Sequence, residues 1–552
     1  MTSKGVSLGS SGLDIDTLVT NSVAKYQTNY DKKYKAKVSA EWTKSAYSDI
    51  YSALKDFRTG TASDYKLSSN TVARTATSTL SAITATANAD AVTMTHDVTV
   101  SKLASSAMLQ TASGSKVSKS ITSGTSTTTS IKLADVAGID TSTGADTDTA
   151  LSFTIGDGSS TKTISYTYLQ LKGGTDASGN TVAAKTLNDF ASDIKAAGLN
   201  VGASYDSVND SFSLYNSKSG SANTVEITLD QDTSGTTTTA GTNAKSLFTA
   251  FNLSSYDSST KATTALSGST TLSLYDGTIK GTDATFTVDG KSYTKDSNVN
   301  TINGVTYTFN DITSTTGKVT IGTDSTALVA KVQKFVDSYN ALLSKLNTKI
   351  YETKDSNYGP LTDAEKKEMS DTQVTDWETK AKTGLLSKNT ILSNTVNEMR
   401  SAISDKVDSV SGKYDTLSSI GITTTDYLEH GTLHLDTDKL TKAIADDPNC
   451  VYNLFASKGS TDETSGVAYR LSAVTSDSLT KISNEAGISS KTDDQSALGV
   501  KITKMTSDLK SLQAILSAKE TYYYNKYNKM EEAMSKNSST TSTLSSYLGK
   551  SS

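Results

Sequence analysis

Cysteine and proline are scarce in this chain of 552 residues. Cys450 is the single cysteine, and Pro360 and Pro448 are the two prolines. One cysteine cannot form an intramolecular disulfide, so the fold must draw its stability from packed helices and sheets. We predict that Cys450 is a small buried apolar residue, with an intermolecular or reactive thiol as the alternative.

Long hydrophobic runs are also missing. Hydrophobic residues make up 35% of the chain, and no stretch approaches the ~20 apolar residues of a membrane span. Residues 1–20 lack the basic region and the ~7–15-residue apolar run of a cleaved signal peptide. We therefore predict no membrane insertion, and either a cytosolic location or export by dedicated machinery that reads a different signal.

Arginine is rare, and the charge balance is acidic. The formal net charge is −5, whereas a nucleic-acid-binding surface is usually strongly basic because Lys and Arg must neutralise phosphates. Bidentate recognition of phosphate or guanine would also have few guanidinium groups to work with. We predict no nucleic-acid partner. The arginines are Arg58, Arg74, Arg400 and Arg470.

Groups that could perform chemistry are few. Only His96, His430 and His434 could act as imidazole bases, and no G-x-S-x-G motif occurs. The last two histidines lie in a β-like context without the glutamate of an H-E-x-x-H zinc site. The Asp-Thr-Asp strings at 146–148 and 436–438 lack the glycine and glutamate of a calcium loop, so turn and capping roles are expected. We predict no catalytic residue, no cofactor and no metal.

What the chain has instead is a long helical pattern at each end. At the amino end, Asp14 is the predicted N-cap, and Leu13 and Leu18 stand at the two positions of a hydrophobic staple. No proline or glycine interrupts the pattern before Gly60. At ~1.5 Å per residue such a helix is roughly 65 Å long, which predicts a coiled-coil arm. The apolar and aromatic stripe begins with Val19, Val23, Tyr26, Tyr30, Tyr34 and Val38.

The carboxyl end shows a matching stripe at steps of four and three residues. Two amphipathic helices of this kind, each too narrow-faced to be stable alone, are expected to pair with each other. Both stripes are the predicted sites of coiled-coil and partner interaction. The Ser/Thr-rich tail at 536–552 is predicted to be frayed or ordered by a partner. The carboxyl-terminal stripe consists of Leu498, Ile502, Met505, Leu509, Leu512 and Leu516.

Between the two ends the apolar period changes to two, which is typical of strands. Asp289-Gly290 between alternating segments predicts a type I′ hairpin. A second β-rich stretch covers residues 151–229, and within it residues 186–197 read as a short helix that ends at Gly198. Polar tracts at 111–130 and 231–246 indicate where the chain leaves one domain for an inserted one and returns.

The predicted fold class is therefore α+β and multidomain. The terminal helices are predicted to pair as a coiled coil. Together with a helical leg domain, they carry nested β-rich head domains. The predicted divisions are terminal arms at 1–45 and 505–552, a helical leg domain at 46–90 and 323–504, a β-rich head domain at 91–138 and 250–322, and an inserted second β-rich head domain at 139–249.

Several segments together resemble one known family. They are S-L-G-S-S-G-L-D-I-D at 7–16, V-T-V-S-K-L-A at 98–104, G-T-D-A at 281–284, F-V-D-S-Y-N-A-L at 335–342 and D-P-N-C-V-Y-N-L-F at 447–455. In order and spacing they are similar to the family of flagellar hook-associated protein 2, the filament-capping proteins. The resemblance spans about residues 7–550 and is least specific near 140–250. His434, Cys450 and the few arginines depart from it.

The resemblance implies a structural protein, not an enzyme, at the tip of the bacterial flagellum. Such a protein promotes the folding and insertion of exported flagellin and prevents its loss. The implied partners are flagellin, further copies of the same chain in a ring-like cap, the hook–filament junction protein and an export chaperone, with mucin left open. The implied location is extracellular, reached through the flagellar secretion system without a cleaved signal peptide.

Other functions stay open on the sequence alone. Another flagellar axial protein, such as the hook–filament junction protein or flagellin, also pairs its terminal helices. An adhesin that binds mucin or glycan through the Ser/Thr-rich head domains belongs to a different class. A surface hydrolase is the weakest alternative, because the chain offers so few catalytic groups.

Overall fold

The computed structural model describes residues 14–121, 130–257, 262–264, 277–487 and 494–549. The helices are α1 (Ile15–Thr59), α2 (Thr61–Asp64), α3 (Ser68–Thr71), α4 (Tyr168–Lys172), α5 (Leu187–Ala196), α6 (Thr239–Phe251), α7 (Ser325–Tyr351), α8 (Asp363–Lys367), α9 (Asp371–Lys382), α10 (Thr390–Ser404), α11 (Thr437–Asp446), α12 (Cys450–Ala456), α13 (Val467–Ala486) and α14 (Ala497–Leu548).

The strands are distributed mainly between α3 and α7. They are β1 (Arg74–Ser78), β2 (Ile83–Ala87), β3 (Thr95–Lys102), β4 (Ser106–Thr111), β5 (Thr149–Gly156), β6 (Thr161–Thr167), β7 (Gly174–Thr175), β8 (Thr181–Val182), β9 (Val201–Asp206), β10 (Ser211–Ser219), β11 (Thr224–Leu229), β12 (Leu253–Asp257), β13 (Ala262–Thr264), β14 (Gly277–Lys280), β15 (Ala284–Val288), β16 (Lys291–Lys295), β17 (Val299–Ile302), β18 (Val305–Phe309), β19 (Gly317–Thr323), β20 (Ile422–Thr423) and β21 (His434–Leu435).

The two ends of the chain, up to Ala73 and from Ser325, form one compact unit, which we call the helical unit. Helix α7 supplies much of its core because its apolar residues recur at three- and four-residue steps and share one face. Tyr65, Phe335 and Phe455 pack around one another, with ring centroids 4.7–5.8 Å apart. The second half of α1, from Ala40 to Phe57, enters the same core.

Residues 74–324 form the second compact unit, the β unit, which contains two separate apolar cores. Around the first core lie an antiparallel sheet in the order β1-β19-β3-β15-β16 and a smaller sheet in the order β17-β18-β2. Strand β15 buries Ala284, Phe286 and Val288 and turns Thr285 and Thr287 away from the core. This alternation is the pattern of a sheet with one buried face.

The second core lies between two further antiparallel sheets and the helices α5 and α6. The sheets have the orders β13-β12-β4-β10-β9 and β14-β11-β5-β6. A cluster of phenylalanine rings fills the space between them, and Phe212 stacks on Phe251 at 4.1 Å. Thr186 is the N-cap of α5. Its hydroxyl accepts from the Asp189 backbone N–H, and the Asp189 carboxylate accepts from the Thr186 backbone N–H, as in a capping box.

The predicted hairpin at Asp289-Gly290 is confirmed. Both residues have positive φ, 52° and 77°, as a type I′ turn requires. Val288 and Lys291 pair across it as the last residues of β15 and β16. Here the local sequence was sufficient, because few residue pairs other than Asn-Gly and Asp-Gly adopt two left-handed conformations in succession.

The domain boundaries of the structure differ from those predicted. Residues 74–90, assigned above to the leg domain, lie in the β unit, because β1 pairs with β19 and β2 with β18. Residues 107–136, assigned to the first head domain, contribute Leu109, Val117 and Leu133 to the second core. Both segments are rich in Ser and Thr. The alternation of apolar and polar residues that predicts a strand was therefore weak in them. The predicted arm and leg share one continuous helix, since α1 runs through the boundary at 45.

Candidate functional site: the paired terminal helices

Helix α1 begins where the sequence predicts. The Asp14 carboxylate accepts from the Thr17 backbone N–H at 3.0 Å and from the Thr17 hydroxyl at 2.5 Å, which makes Asp14 the N-cap. The hydrogen bond from the Thr17 side chain is the main reason that the pKa of Asp14 is lowered. Of the two residues of the predicted hydrophobic staple, Leu18 lies on α1 and Leu13 lies outside the described residues.

The predicted stripe of α1 lies on the less exposed face of the helix. Val19 and Val23 are buried, with 3% and 5% of their surface exposed. Tyr30 and Tyr34 stack at 6.5 Å along the helix, as residues four apart can do. The half-buried members of the stripe are Tyr26, Tyr30, Tyr34 and Val38.

The predicted stripe of α14 divides into two parts. Leu498 is buried in the core of the helical unit, and Ile502 packs against that core. Leu509 and Leu516 are buried further along the helix, with Met505 and Leu512 half-buried between them.

Four contacts fix the relative direction of α1 and α14. The Tyr524 hydroxyl donates to Asp16 Oδ1 at 2.8 Å, and the Ser22 and Tyr527 hydroxyls are 2.8 Å apart. Further along, the Lys519 ammonium lies 5.8 Å from the ring centroid of Tyr26, and Lys33 pairs with Asp508 at 3.0 Å. From Ser22 through Tyr26 to Lys33 on α1, the partner numbers on α14 fall from 527 through 519 to 508. The two terminal helices therefore lie side by side and antiparallel.

Two ion pairs connect α1 to the carboxyl-terminal segment. Lys33 Nζ contacts Asp508 Oδ2, and Lys44 Nζ contacts Asp494 Oδ2 just before α14 begins. The hydrogen bond from Lys33 lowers the pKa of Asp508, and the bond from Lys44 lowers that of Asp494 to about 2. The sequence did not single out these residues, since opposite charges on two helices can be matched only once the register is known.

Part of the α1 stripe also faces another neighbour. The Tyr34 hydroxyl donates to Asp363 on α8 at 3.4 Å, and Lys35 pairs with Glu365 at 2.6 Å. The Lys382 ammonium lies 4.8 Å from the Trp42 ring centroid. The amino-terminal helix is thus held from two sides along its middle.

Helix α14 continues beyond the contacts with α1 named above. Of these contacts, the one at Tyr527 lies nearest the carboxyl end of α14, and the helix continues to Leu548. The exposed fractions of Met530 and Met534 are 40% and 42%, and those of Leu544 and Tyr547 are 61% and 76%. The tail predicted as frayed or partner-ordered is helical from 536 to 548 in the structure, with mostly exposed side chains.

The groups weighed above for chemistry have structural partners. His96 Nδ1 lies 2.8 Å from Asp289 Oδ2, and His434 Nε2 lies 2.7 Å from Glu429 Oε2. His430 stacks on a tyrosine ring. Across the described ranges, no group of three His, Cys, Asp or Glu residues is placed to hold a metal ion. None of the helices within those ranges combines the length and apolar character of a membrane span.

Two protein-family models match opposite ends of the chain. The model for the amino terminus of flagellar hook-associated protein 2 matches residues 11–107, and the model for its carboxyl terminus matches residues 281–539. The chain belongs to the flagellar hook-associated protein 2 family. The two matches include α1 and α14 as far as residue 539, and the unmatched stretch between them contains most of the second core of the β unit.

Relatives of known name agree with this family. Flagellar hook-associated protein 2 of Halalkalibacterium halodurans is 25% identical over 95% of this chain and 96% of its own length. The protein of the same name from Thermotoga maritima is 29% identical over 25% of this chain and 21% of its own length. The chain therefore belongs to a family of structural flagellar proteins. The chain is not an enzyme.

Two of the solved structures to which the chain is similar are structures of FliD proteins. The D1-D2-D3 domains of the flagellar cap protein FliD from Escherichia coli are 19% identical, with a TM-score of 0.47, over 84% of this chain and 99% of that one. FliD (HAP2) from Pseudomonas aeruginosa is 19% identical, with a TM-score of 0.26, over 50% of this chain and 99% of that one.

Proposed function

We propose that this chain is a structural cap of the bacterial flagellar filament. In this role it promotes the folding and insertion of exported flagellin at the filament tip and prevents the loss of flagellin. Membership in the hook-associated protein 2 family supports the flagellar role. The paired terminal helices support the idea that the chain attaches to a helical polymer.

The observation that carries the proposal is the row of exposed apolar side chains towards the carboxyl end of α14. From Tyr527 to Leu548 the helix continues for 548 − 527 = 21 residues, which is roughly 30 Å at ~1.5 Å per residue. Met530, Met534, Leu544 and Tyr547 are exposed along it. Exposed apolar side chains on a long single helix mark an interaction surface, because burying them against another helix is favourable. Flagellin helices at the tip are the proposed partner.

The expected affinity for flagellin suits a cap that moves as the filament grows. A long exposed helix loses conformational freedom when it binds, so the net affinity is smaller than the contact area suggests. Several weak contacts of this kind, one set from each copy in a ring-like assembly, can be released and remade in turn. Self-association into such a ring is part of the proposal.

The composition supports export of an unfolded chain to an extracellular location at the filament tip. One cysteine excludes internal disulfides, and two prolines leave few slow X–Pro isomerisations for refolding outside the cell. We infer export through the flagellar secretion system without a cleaved signal peptide. Contacts with the hook–filament junction protein, an export chaperone and mucin stay predictions.

Deletion of the gene in the source bacterium tests the proposed function. Short or missing filaments, together with unpolymerised flagellin in the medium, are expected, and the intact gene supplied in trans should restore filaments. Electron microscopy and immunoblots of the culture medium measure both effects. Normal filaments in the deletion strain would contradict the cap function.

Complementation with variants of α14 tests the exposed stripe. M530S/M534S should keep the helical unit folded but leave filaments short, because the binding surface loses apolar area. The matched control K529S/E532S changes two exposed residues on the same stretch and leaves the net charge unchanged. Filaments of full length with M530S/M534S would separate the cap function from this stripe.

A further inference from the structure

The stretch at 353–383, between α7 and α10, forms a loop that we call the strap. It contains α8 and α9. At its base the Glu352 carboxylate accepts hydrogen bonds from the Gly384 backbone N–H at 3.0 Å and from the Lys349 ammonium at 2.7 Å. A Cβ atom at Gly384 would lie 2.6 Å from the Lys354 backbone nitrogen, so the two ends of the strap are in close contact. Both ends are therefore fixed at one place beside the end of α7.

Contacts among its own residues hold the strap together. The Trp377 indole N–H on α9 donates to the Gly359 carbonyl oxygen at 2.8 Å. The Tyr358 and Trp377 rings pack edge to face, with centroids 4.7 Å apart. Glu378 on α9 pairs with Lys366 on α8 at 2.6 Å, and the hydrogen bond from Lys366 lowers the pKa of Glu378. These contacts do not involve α1, so the strap can keep its shape away from that helix.

The strap adds little to the apolar core of the helical unit. The structure describes the whole strap, and within it α8 has no buried residue while α9 has one, Ala381. Leu361, between α7 and α8, is also buried, yet neither residue belongs to that core. Movement of the strap away from α1 would therefore leave the core of the helical unit intact.

The contacts that join the strap to α1 are polar and accessible to solvent. The exposed fractions of the Lys35 and Glu365 side chains, which pair at 2.6 Å, are 36% and 44%. The Lys382 ammonium lies over the Trp42 ring, and the hydrogen bond from the Tyr34 hydroxyl is long, at 3.4 Å. Exposed ion pairs contribute little to stability and are weakened further by salt, which screens the two charges.

The boundary between the strap and α1 is not closely filled. A groove of about 420 Å³ lies there, and the residues that line it include Lys35 on α1 and, in the strap, Asn357, Pro360, Glu368 and Trp377. Tightly packed interfaces leave few voids larger than a water molecule, because their side chains interdigitate. The closure of the strap over α1 therefore depends mainly on the electrostatic contacts.

We propose that the strap is a lid over the middle of α1, which turns about its base as one body and opens as the ionic strength rises. The closed strap contacts Tyr34 and Trp42, and the open strap leaves both accessible. A hinge needs a few residues whose backbone can change while the packed parts stay intact. Residues 352–354 and 383–385 lie outside the helices and supply it. The movement lies within the helical unit and does not depend on the proposed function.

A distance measurement between two spin labels tests the opening directly. The full-length chain carries the labels at A36C on α1 and T372C on α9, both at exposed positions. Cys450 is 0% exposed and stays unlabelled in the folded protein. An excess of unlabelled chain removes distances between copies.

Double electron–electron resonance should show one distance at about 0.1 M salt and a second, longer one at about 1 M, because the Debye length falls from about 10 Å to about 3 Å. The same single distance at both salt concentrations would overturn the lid.

Replacement of one lysine tests whether the ion pair closes the strap. In the labelled chain at low salt, K35Q should raise the population at the longer distance about threefold, since one exposed ion pair is lost. The matched control K32Q removes the same charge from an exposed position on α1 and should leave the distances unchanged. Equal populations in K35Q and K32Q would contradict electrostatic closure by this pair.

Amide hydrogen exchange separates opening from unfolding of the strap. Helix α9 should exchange at the same rate at both salt concentrations, because the contacts of Trp377 lie within the strap. W377F removes the hydrogen bond to Gly359 and is the positive control, in which exchange in α9 should become faster. Fast exchange throughout α9 in the wild type at high salt would mean that the strap unfolds, and would overturn its movement as one body.

Discussion

Asp16 near the amino end of α1 accepts a hydrogen bond of 2.8 Å from the hydroxyl of Tyr524 on α14, 508 residues along the chain. This bond raises the pKa of Tyr524. It lies close to the amino-terminal end of α1, and α14 continues from there to Leu548. The two ends of the chain are thus connected at the point where the proposed flagellin-binding stretch begins.

Loss of this hydrogen bond should loosen the end of the helix pair. Y524F is expected to destabilise local closure of the pair by about 1 kcal/mol, the usual net contribution of a hydrogen bond that is partly accessible to water. Amide hydrogen exchange in residues 15–26 and 516–527 should become faster, while exchange in α7 should not change. The control is Y522F, since the Tyr522 side chain is 57% exposed. Equal exchange in both variants would show that the bond contributes nothing.

The ion pair between Lys44 and Asp494 should give the helical unit a defined pH dependence. Because Lys44 lowers the pKa of Asp494 from 3.8 to about 2, the stabilisation is complete above about pH 5 and is lost as the pH falls through about 2. Solvent screening reduces the effect of this partly exposed pair to about 1 kcal/mol.

Urea unfolding at two pH values measures this dependence. D494N should be less stable than the wild type at pH 6, and the difference should shrink at pH 2.5. The control D49N replaces an exposed carboxylate on α1 and should show no such change. A constant difference between wild type and D494N at both pH values would mean that the carboxylate charge is not the cause.

Local signals in the sequence predicted much of the secondary structure. The N-cap Asp14 and the hairpin at Asp289-Gly290 are confirmed because their conformations depend on a few adjacent residues. The assignment of residues 74–90 to the leg domain was wrong for the opposite reason. Strand β1 pairs with β19 and β2 pairs with β18, and both partners lie more than two hundred residues further along the chain.

The partner-binding candidates show the same limit. Heptad-like spacing identified both stripes, but it could not separate Leu498, which joins the core of the helical unit, from Leu516 on the arm.

The close backbone contacts around Gly281 in the β unit should not tolerate an added methyl group. A Cβ atom at Gly281 would lie 2.4 Å from the Ser105 carbonyl oxygen and 2.6 Å from that of Gly220. Three backbone segments meet there, so G281A must displace at least one of them. We expect a loss of about 2 kcal/mol in the free energy of unfolding of the β unit. G359A is the control, because a Cβ atom at Gly359 meets nothing within 4 Å. Equal stability of the two variants would show that the backbone adjusts freely.

Cys450 should be chemically silent until the helical unit unfolds. The residue is 0% exposed, and burial, with a smaller effect of the Asp447 carboxylate, raises the pKa of the thiol to about 12. Only the thiolate reacts rapidly with disulfide reagents. At pH 8 the native protein should therefore label with an aromatic disulfide reagent only as fast as the unit opens. Labelling should become stoichiometric within seconds in 8 M urea. Rapid labelling without urea would instead support the reactive-thiol alternative, because it requires an accessible thiolate in the folded chain.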